Sequence, residues 1–415
     1  MRAVVSERQS DPAAARKDIR FLGRSDQGGR PDGTQVMLHK GHALVGHMFS
    51  DGISVVDVRD PRAPAAAAFI ANPPNTRSHH IQVHDGILLA VNGANIWALA
   101  KYAEQKDYFT RSLTESFNAD AAFAAGLRVY DIANPAAPRE IAFLSVPGLG
   151  LHRLWWIGGR YAYASAHMPG FRDHIMIAID LSDPARPALA GRWWLPGMAE
   201  NEEPRPPTGK RWAAHHAIIS GNLAYGAWRD AGLTVHDISD PAHAMLVAHV
   251  NWSPPFAGGT HTPLPLADRN LLVVADEATS TNCANGIAYT WVLDARAPQN
   301  PVTIATLPTP KDADYCGKGG KFGPHNLHEN RPGTLQRSDL VFATYHNAGV
   351  RVFDISNAFE PRETAYYVPP DPERLVDFRP NTAKVIQSCD VLVDRDGVMY
   401  VTDTNAGLYI LQYEG

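Results

Sequence analysis

One phrase recurs through the chain: an alternating apolar strand, usually led by glycine, then Asp, then a turn built on Asp-Pro or Asn-Pro with a second proline three residues on. It reads GISVVDVRDPRAP at 52–64, GLRVYDIANPAAP at 126–138 and IMIAIDLSDPARP at 175–187. It returns as GLTVHDISDPAHA from Gly232, YTWVLDARAPQNP from Tyr289 and GVRVFDISNAFEP from Gly349, with a shortened copy, GLYILQYEG, at 407–415. Self-similarity at a period of roughly 50 residues marks a repeat architecture, in which no unit buries its apolar face without neighbours.

Each copy follows another short strand, among them ALVGHMFSDG, YAYASAHMPG and LVFATYHNAG. A third apolar stretch precedes that strand and a fourth follows the turn, as in REIAFLSVPG. Four antiparallel strands per unit and seven units predict an all-β, seven-bladed β-propeller. Residues 18–28, DIRFLGRSDQG, resemble the fourth-strand segment, so the N-terminal strand is expected to complete the last blade and close the ring. The domain reading is a tail over 1–17 and one propeller over 18–415.

The aligned aspartates 57, 131, 180, 237, 294 and 354 are spaced by 74, 49, 57, 57 and 60 residues, and the excess marks insertions. These fall at about 97–125, which has a helix-like composition, at 198–212 and at 308–323, and are expected to cover one face. Asp at that place in the turn caps backbone amides. The wording of the repeat resembles the LVIVD-repeat family of β-propellers, and the resemblance covers nearly the whole chain; it implies the fold and leaves the reaction open.

A net charge of −5 supplies no basic field for nucleic acid or anionic lipid. No run of about 18 apolar residues is present, and the N-terminal segment lacks a secretory apolar core, so a soluble, cytoplasmic protein is expected. Cys283, Cys316 and Cys389 are odd in number and widely spaced, which speaks against disulfides. There is no Walker A, dinucleotide-binding, G-x-S-x-G or H-E-x-x-H motif, hence no expectation of a nucleotide cofactor.

The chain has 18 histidines, and their phase carries the argument. The innermost strands of successive units begin HHIQV (His79, His80), HRLWW (His152), HHAII (His215, His216), THTPL (His261), HNLHE (His325, His328) and SCDVL (Cys389, Asp390), with Gln35 near the same phase in the first. In a propeller these positions meet around one mouth of the axis. The second strands end at the same face with His167, Trp228-Arg229-Asp230, Glu277 and Tyr345-His346, giving a second polar ring.

Converging imidazoles suit a transition metal, with iron or copper favoured and zinc or manganese as alternatives. The candidate ligands are His80, His152, His216, His261 and His325; strand alternation points their neighbours His79 and His215 the other way. His346, His167, Asp230 and Glu277 are candidates for proton transfer or orientation, and Trp228, Arg229 and Tyr345 for contact with a small, aromatic or apolar substrate. Trp155 and Trp156 near the mouth fit either that substrate or the core. Tyr315 and Cys316 are candidate lid residues, while Cys389 reads as a small buried residue.

The expectation is a metal-dependent enzyme acting on a small organic substrate, with oxidative cleavage ahead of a zinc or manganese lyase or hydrolase. The competing reading is a non-catalytic interaction propeller with structural histidines. Oligomeric state is not encoded legibly.

Overall fold

The computed structural model describes residues 9–99, 122–379 and 382–415. Most of the insertion at 97–125 therefore lies outside the described residues. The chain is an all-β propeller, and its described helical pieces are Ile96–Leu99 and two short 3-10 turns.

Each repeat gives an antiparallel meander. The first is Gly33–His39, His42–His47, Gly52–Asp57 and Ala65–Ala71, paired in that order. The third is Gly150–Trp155, Tyr161–His167, Ile175–Asp180 and Ala188–Trp193; the fourth is Trp212–Ser220, Leu223–Arg229, Leu233–Asp237 and Met245–Val250. Single pairs, Gly93 with Gly150 and Arg229 with Thr260, join the second repeat to the third and the fourth to the fifth.

In the sixth repeat the stretch read as an innermost strand is an irregular segment instead. It is held by the bridge of Leu327 with Ala343 and by amide bonds from His325 to Thr344 (2.9 Å) and His328 to Phe342 (2.9 Å).

The N-terminal region is used twice. Ile19–Ser25 pairs antiparallel with Gly407–Tyr413, from Ile19 opposite Tyr413 to Ser25 opposite Leu408. Ala15–Lys17, inside the segment read as a tail, pairs with Arg362–Val368 of the sixth repeat.

Packing explains the repeat phrase. Its strand is sandwiched between neighbouring sheets, so five of the six residues of Gly52–Asp57 are buried, whereas the outer Ala65–Ala71 has no fully buried residue. One apolar cluster holds Leu408 and Ile410 together with Val45, Val55 and Leu88, thus joining the last repeat to the first two. The leading glycine has a steric cause at Gly232 and Gly349, both at positive φ: a Cβ there would lie 2.3 Å from Val250 O and 2.2 Å from Tyr367 O. The repeat aspartates accept from the amide two residues on, as in Asp180 to Ser182 (2.8 Å) and Asp354 to Ser356 (2.7 Å), so they shape the turn.

The inner strands need more than their ladders, because their axial edges face no strand. A side chain from the preceding repeat meets this demand. Gln35 Oε1 accepts from Ile81 N (2.9 Å), Gln82 Oε1 from Trp156 N (3.1 Å), His328 Nδ1 from Val393 N (3.2 Å) and Asp390 Oδ2 from Val36 N (3.0 Å).

Cys283 and Cys316 form a disulfide, which corrects the expectation drawn from cysteine spacing. They are separated by 33 residues in sequence, but the loops carrying them meet, Thr281 bridging to Lys321. No helix among the described residues is long and apolar enough to cross a membrane.

The joint between Ile19–Ser25 and Gly407–Tyr413 is testable by point substitution. Ile19 is fully buried there, so Ile19→Ala should cost about 2–5 kcal/mol in urea unfolding. The exposed Arg20→Ala should cost less than about 1 kcal/mol. Equal, small effects of the two would show that this strand adds little to the fold.

Candidate active site

The inner strands do not simply alternate. Pairing with the second strand slips between Gly33 and Gln35, Leu151 and Leu154, Trp212 and His216, Thr260 and Thr262, and Ser388 and Asp390. Each slip is a bulge, which re-aims the residue it leaves unpaired. Thr34, His152, His215, His261 and Cys389 lie in these bulges, and all five line a single cavity of about 530 Å³.

Around that cavity runs an arc of imidazoles. Ring centroids are 4.9 Å apart from His79 to His152, 5.0 Å from His152 to His215, 3.7 Å from His215 to His261, 4.3 Å from His261 to His325 and 4.8 Å from His325 to His346. His80 adjoins the arc, 4.4 Å from His79. Burial lowers the pKa of every member, well below the usual histidine value for most and to about 4 for His325. The rings are therefore neutral at pH 7, and neutrality lets them stack this closely.

Hydrogen bonding sorts the arc into two parts. His215 Nδ1 lies 3.0 Å from His261 O and His325 Nδ1 lies 2.7 Å from Cys389 O; a carbonyl accepts only, so both Nδ1 atoms carry the proton. His261 Nδ1 is 2.8 Å from the hydroxyl of Thr262, which itself points to His325 O at 3.3 Å. That leaves Nε2 of these rings as the lone-pair nitrogen. At His80 the order is reversed: Nδ1 accepts from Arg153 Nη1 (2.9 Å), so the proton resides on Nε2.

His261, Glu277 and His325 bring ligand atoms within 4.8 Å of one another, as do His79, His80 and His152. In the first group the Nδ1 bond of His325 leaves its Nε2 lone pair towards Glu277, 4.0 Å from Oε1. Glu277 is buried, which raises its pKa, but Lys321 (Nζ to Oε1, 2.9 Å) and Arg229, paired with Oε2, pull it well below the carboxylate range together with the two histidines. Glu277 thus stays ionised and is a poor proton acceptor.

Of the residues singled out from sequence, His80, His152, His261, His325, His346, Glu277 and Arg229 line the cavity. The others sit elsewhere. His216 resumes strand pairing opposite Ala227 and turns away, with Nε2 3.7 Å from Glu329. Trp228 is buried with its indole donating to Thr234 (2.7 Å), and Tyr345 is core beside Phe353. Asp230 accepts from the amides of Arg211 (2.8 Å) and Gly259 (3.2 Å), and His167 packs 5.8 Å from His174.

Strict alternation had pointed His215 away, and the bulge before His216 turns it to the cavity, whereas His79 and His80 both line it. Trp155 and Trp156 are core. Cys389 lines the cavity as a buried thiol whose pKa burial pushes well up. Loop 198–212 does not line the cavity and 308–323 contributes Gly320 and Lys321; among the described residues, further lining comes from 279–285, 377–379 and 382–383. Tyr315 is tied instead to Asp312 and Arg351.

Two comparisons with known proteins bear on the fold. The LVIVD repeat matches residues 155–193 and 213–251. Among solved structures, the periplasmic gluconolactonase of Pseudomonas aeruginosa superposes with TM-score 0.55 at 10% identity, covering 96% of each chain. The Cps50 (Swd1) β-propeller domain of Myceliophteria thermophila gives 0.55 at 8% identity, over 95% of this chain and 98% of that one. A Lactobacillus plantarum protein gives 0.54 at 10% identity, over 96% of each chain. At such identities the likeness is one of fold. No curated protein matches the chain.

Acid should unfold this protein through its buried imidazoles. His325 and His328 are held down at about 4 by burial, while histidines of an unfolded chain titrate near about 6.5. The unfolded state takes up protons first, so stability is lost as pH falls from about 6.5 towards about 4. The raised carboxyls of Asp276, Asp390 and Asp403 act in the opposite sense, but the lowered histidines outnumber them. Tm measured across this window should drop steeply; a flat profile would contradict the neutral arc.

Proposed function

Taking the chain as an LVIVD-repeat β-propeller, we propose that it is a metal-dependent enzyme whose seven blades close around an axial pocket for a small organic substrate. The strand pairing of Ile19–Ser25 with Gly407–Tyr413 and the bond from Val36 N to Asp390 support the closed ring. The metal would be held by His261 and His325 with Glu277, and His215 and His346 flank them. The observation that carries the reading is the set of Nδ1 bonds, which orient neutral rings with Nε2 as the lone-pair nitrogen.

A second feature supports the fit. His346 Nε2 is buried without a hydrogen-bond partner, beside His325, and its backbone adopts φ 44°, an unusual conformation for a residue with a Cβ. An unsatisfied nitrogen and a rare backbone at one cavity wall are expected of a residue placed for a ligand or a reacting group.

Two imidazoles with one ionised carboxylate form a donor set that suits non-haem iron first, with copper, zinc and manganese as alternatives. A bound metal with an open coordination position would polarise a substrate oxygen or activate dioxygen. The chain's own residues do the remainder. Arg229 and Lys321 hold Glu277 ionised, the neutral His346 is placed to accept a proton, and Thr279–Thr281, Asp377, Arg379, Thr382 and Ala383 line the cavity around them. The oxidative reading stays ahead of a lyase or hydrolase because two imidazoles with one carboxylate suit iron first.

Metal analysis of untagged protein, reconstituted in turn with iron, copper, zinc and manganese, tests this. A single ion per chain is expected, lost in a His261→Ala His325→Ala double variant and retained in His216→Ala. Absence of stoichiometric metal, or equal binding by the double variant, would leave the interaction-propeller reading in possession.

A further inference from the structure

We propose that the cavity wall built by the first two repeats is an oxygen-binding subsite, in which His80 Nε2 and the Thr34 hydroxyl donate to a carbonyl or carboxylate oxygen of the substrate. The inference rests on the cavity being the substrate site, as argued above, and adds the atoms through which a substrate is held. His80 is then a positioning donor and not a metal ligand.

The tautomer is the first argument. Arg153 Nη1 donates to His80 Nδ1 at 2.9 Å, and the buried Arg153 is held in turn by Glu329 Oε1, 2.7 Å from Nη2. A guanidinium donates and has no lone pair to accept with, so the single proton of the neutral ring lies on Nε2. Burial, and then the charge of Arg153, oppose a second proton and keep the His80 pKa well below the usual histidine value. A metal at Nε2 would require the proton to move to Nδ1, against Arg153. The ring is thereby fixed as a neutral donor, the reverse of His215 and His325, whose Nδ1 atoms bond to carbonyls.

Position is the second argument. The two nitrogens of an imidazole point in widely different directions. With Nδ1 turned to Arg153 on the floor, Nε2 points away from it, and the ring lines the cavity. Among the described residues none accepts from Nε2. Thr34 lines the same cavity from the bulge of the first inner strand, and its buried Oγ1 has no hydrogen-bond partner among the described residues. A buried hydroxyl left unpaired is costly, and an incoming acceptor relieves it.

The joint between the repeats brings the two donors onto one wall. Gln35 Oε1 accepts from Ile81 N at 2.9 Å, and Thr34 and His80 are the residues immediately before the two ends of that bond. The His80 ring lies 6.5 Å from that of His215, which is 3.7 Å from His261. A small molecule therefore spans the donors and the group of His261, His325 and Glu277, with its acceptor oxygen at one end and its reacting part at the other.

Imidazole nitrogen NMR of the metal-free, untagged full chain, labelled with 15N-histidine and titrated with acetate, tests the proposal. His80 should give the signals of a ring protonated on Nε2, and acetate should shift that N–H. Methylammonium, which has no acceptor, should leave it in place. His80→Leu should weaken acetate roughly tenfold, the worth of a hydrogen bond to a charged acceptor, whereas His80→Gln, which keeps a donor, should restore most of the loss. Thr34→Val should cost roughly fivefold. Should one variant fail to fold, the others and the spectrum of the native chain still decide.

A ring protonated on Nδ1, no response of His80 to acetate, or equal acetate affinity in His80→Leu and the native chain would overturn the proposal. Metal bound by a chain in which His80 fails these tests would remove this inference alone. Acetate held by His80 in a chain that binds no metal would remove the metal reading and leave this one standing.

Discussion

The structure depends on how the innermost strands satisfy backbone groups that face the axis. A strand at the edge of a sheet presents unpaired amides, and buried amides without partners are costly. Here the partner comes from the previous repeat, through Gln35, Gln82, His328 and Asp390. Polar side chains at these positions are therefore a structural requirement, met in this way at four of the joints between repeats. The fold imports polarity into its own centre, and the cavity draws on the same supply.

What turns that polarity into a site is the bulge at the start of the inner strands. A regular strand would point alternate residues at the axis and at the neighbouring blade. The slip frees residues from the ladder, so that His152, His215 and His261 enter one space while other side chains make the joints. Neutral rings 3.7–5.0 Å apart pack tolerably, whereas protonated ones would repel. The Nδ1 bonds to His261 O and Cys389 O then reach across to the next repeat, fixing tautomer and tilt with the device that ties the blades together.

Legibility follows the range of the interactions. The phrase around Asp57, Asp131 and Asp180 encodes local turns and sandwiched strands, so the propeller and the shared phase of the histidines could be read without coordinates. The choice of His215 over His216 could not, because it turns on a bulge that alternation does not reveal. Two histidines side by side at the start of a strand were the available signal. Arg77, Lys321, Phe49 and Trp97 lie on short elements and loops whose neighbours come from other repeats, and the Cys283–Cys316 pairing has the same origin. Trp228 and Asp230 had the right phase and the wrong direction; each is consumed by a local bond to Thr234 or to the amides of Arg211 and Gly259.

Beneath the cavity the axis is filled by charge. Arg153 Nη2 pairs with Glu329 Oε1 at 2.7 Å, Arg331 Nη1 approaches Glu329 Oε2 at 3.3 Å, and all three side chains are buried. A buried pair of this kind gains little net stability, since desolvation offsets most of the attraction. Its effect here is directional. Arg153 donates to His80 Nδ1 and so takes up that lone pair, while His216 turns towards the floor with Nε2 3.7 Å from Glu329. His80 and His216 thus face the floor, and the wall beside Glu277 is formed by His215, His261, His325 and His346. The charged floor and the histidine wall together make the cavity one-sided, with its chemistry confined to the half nearest Glu277.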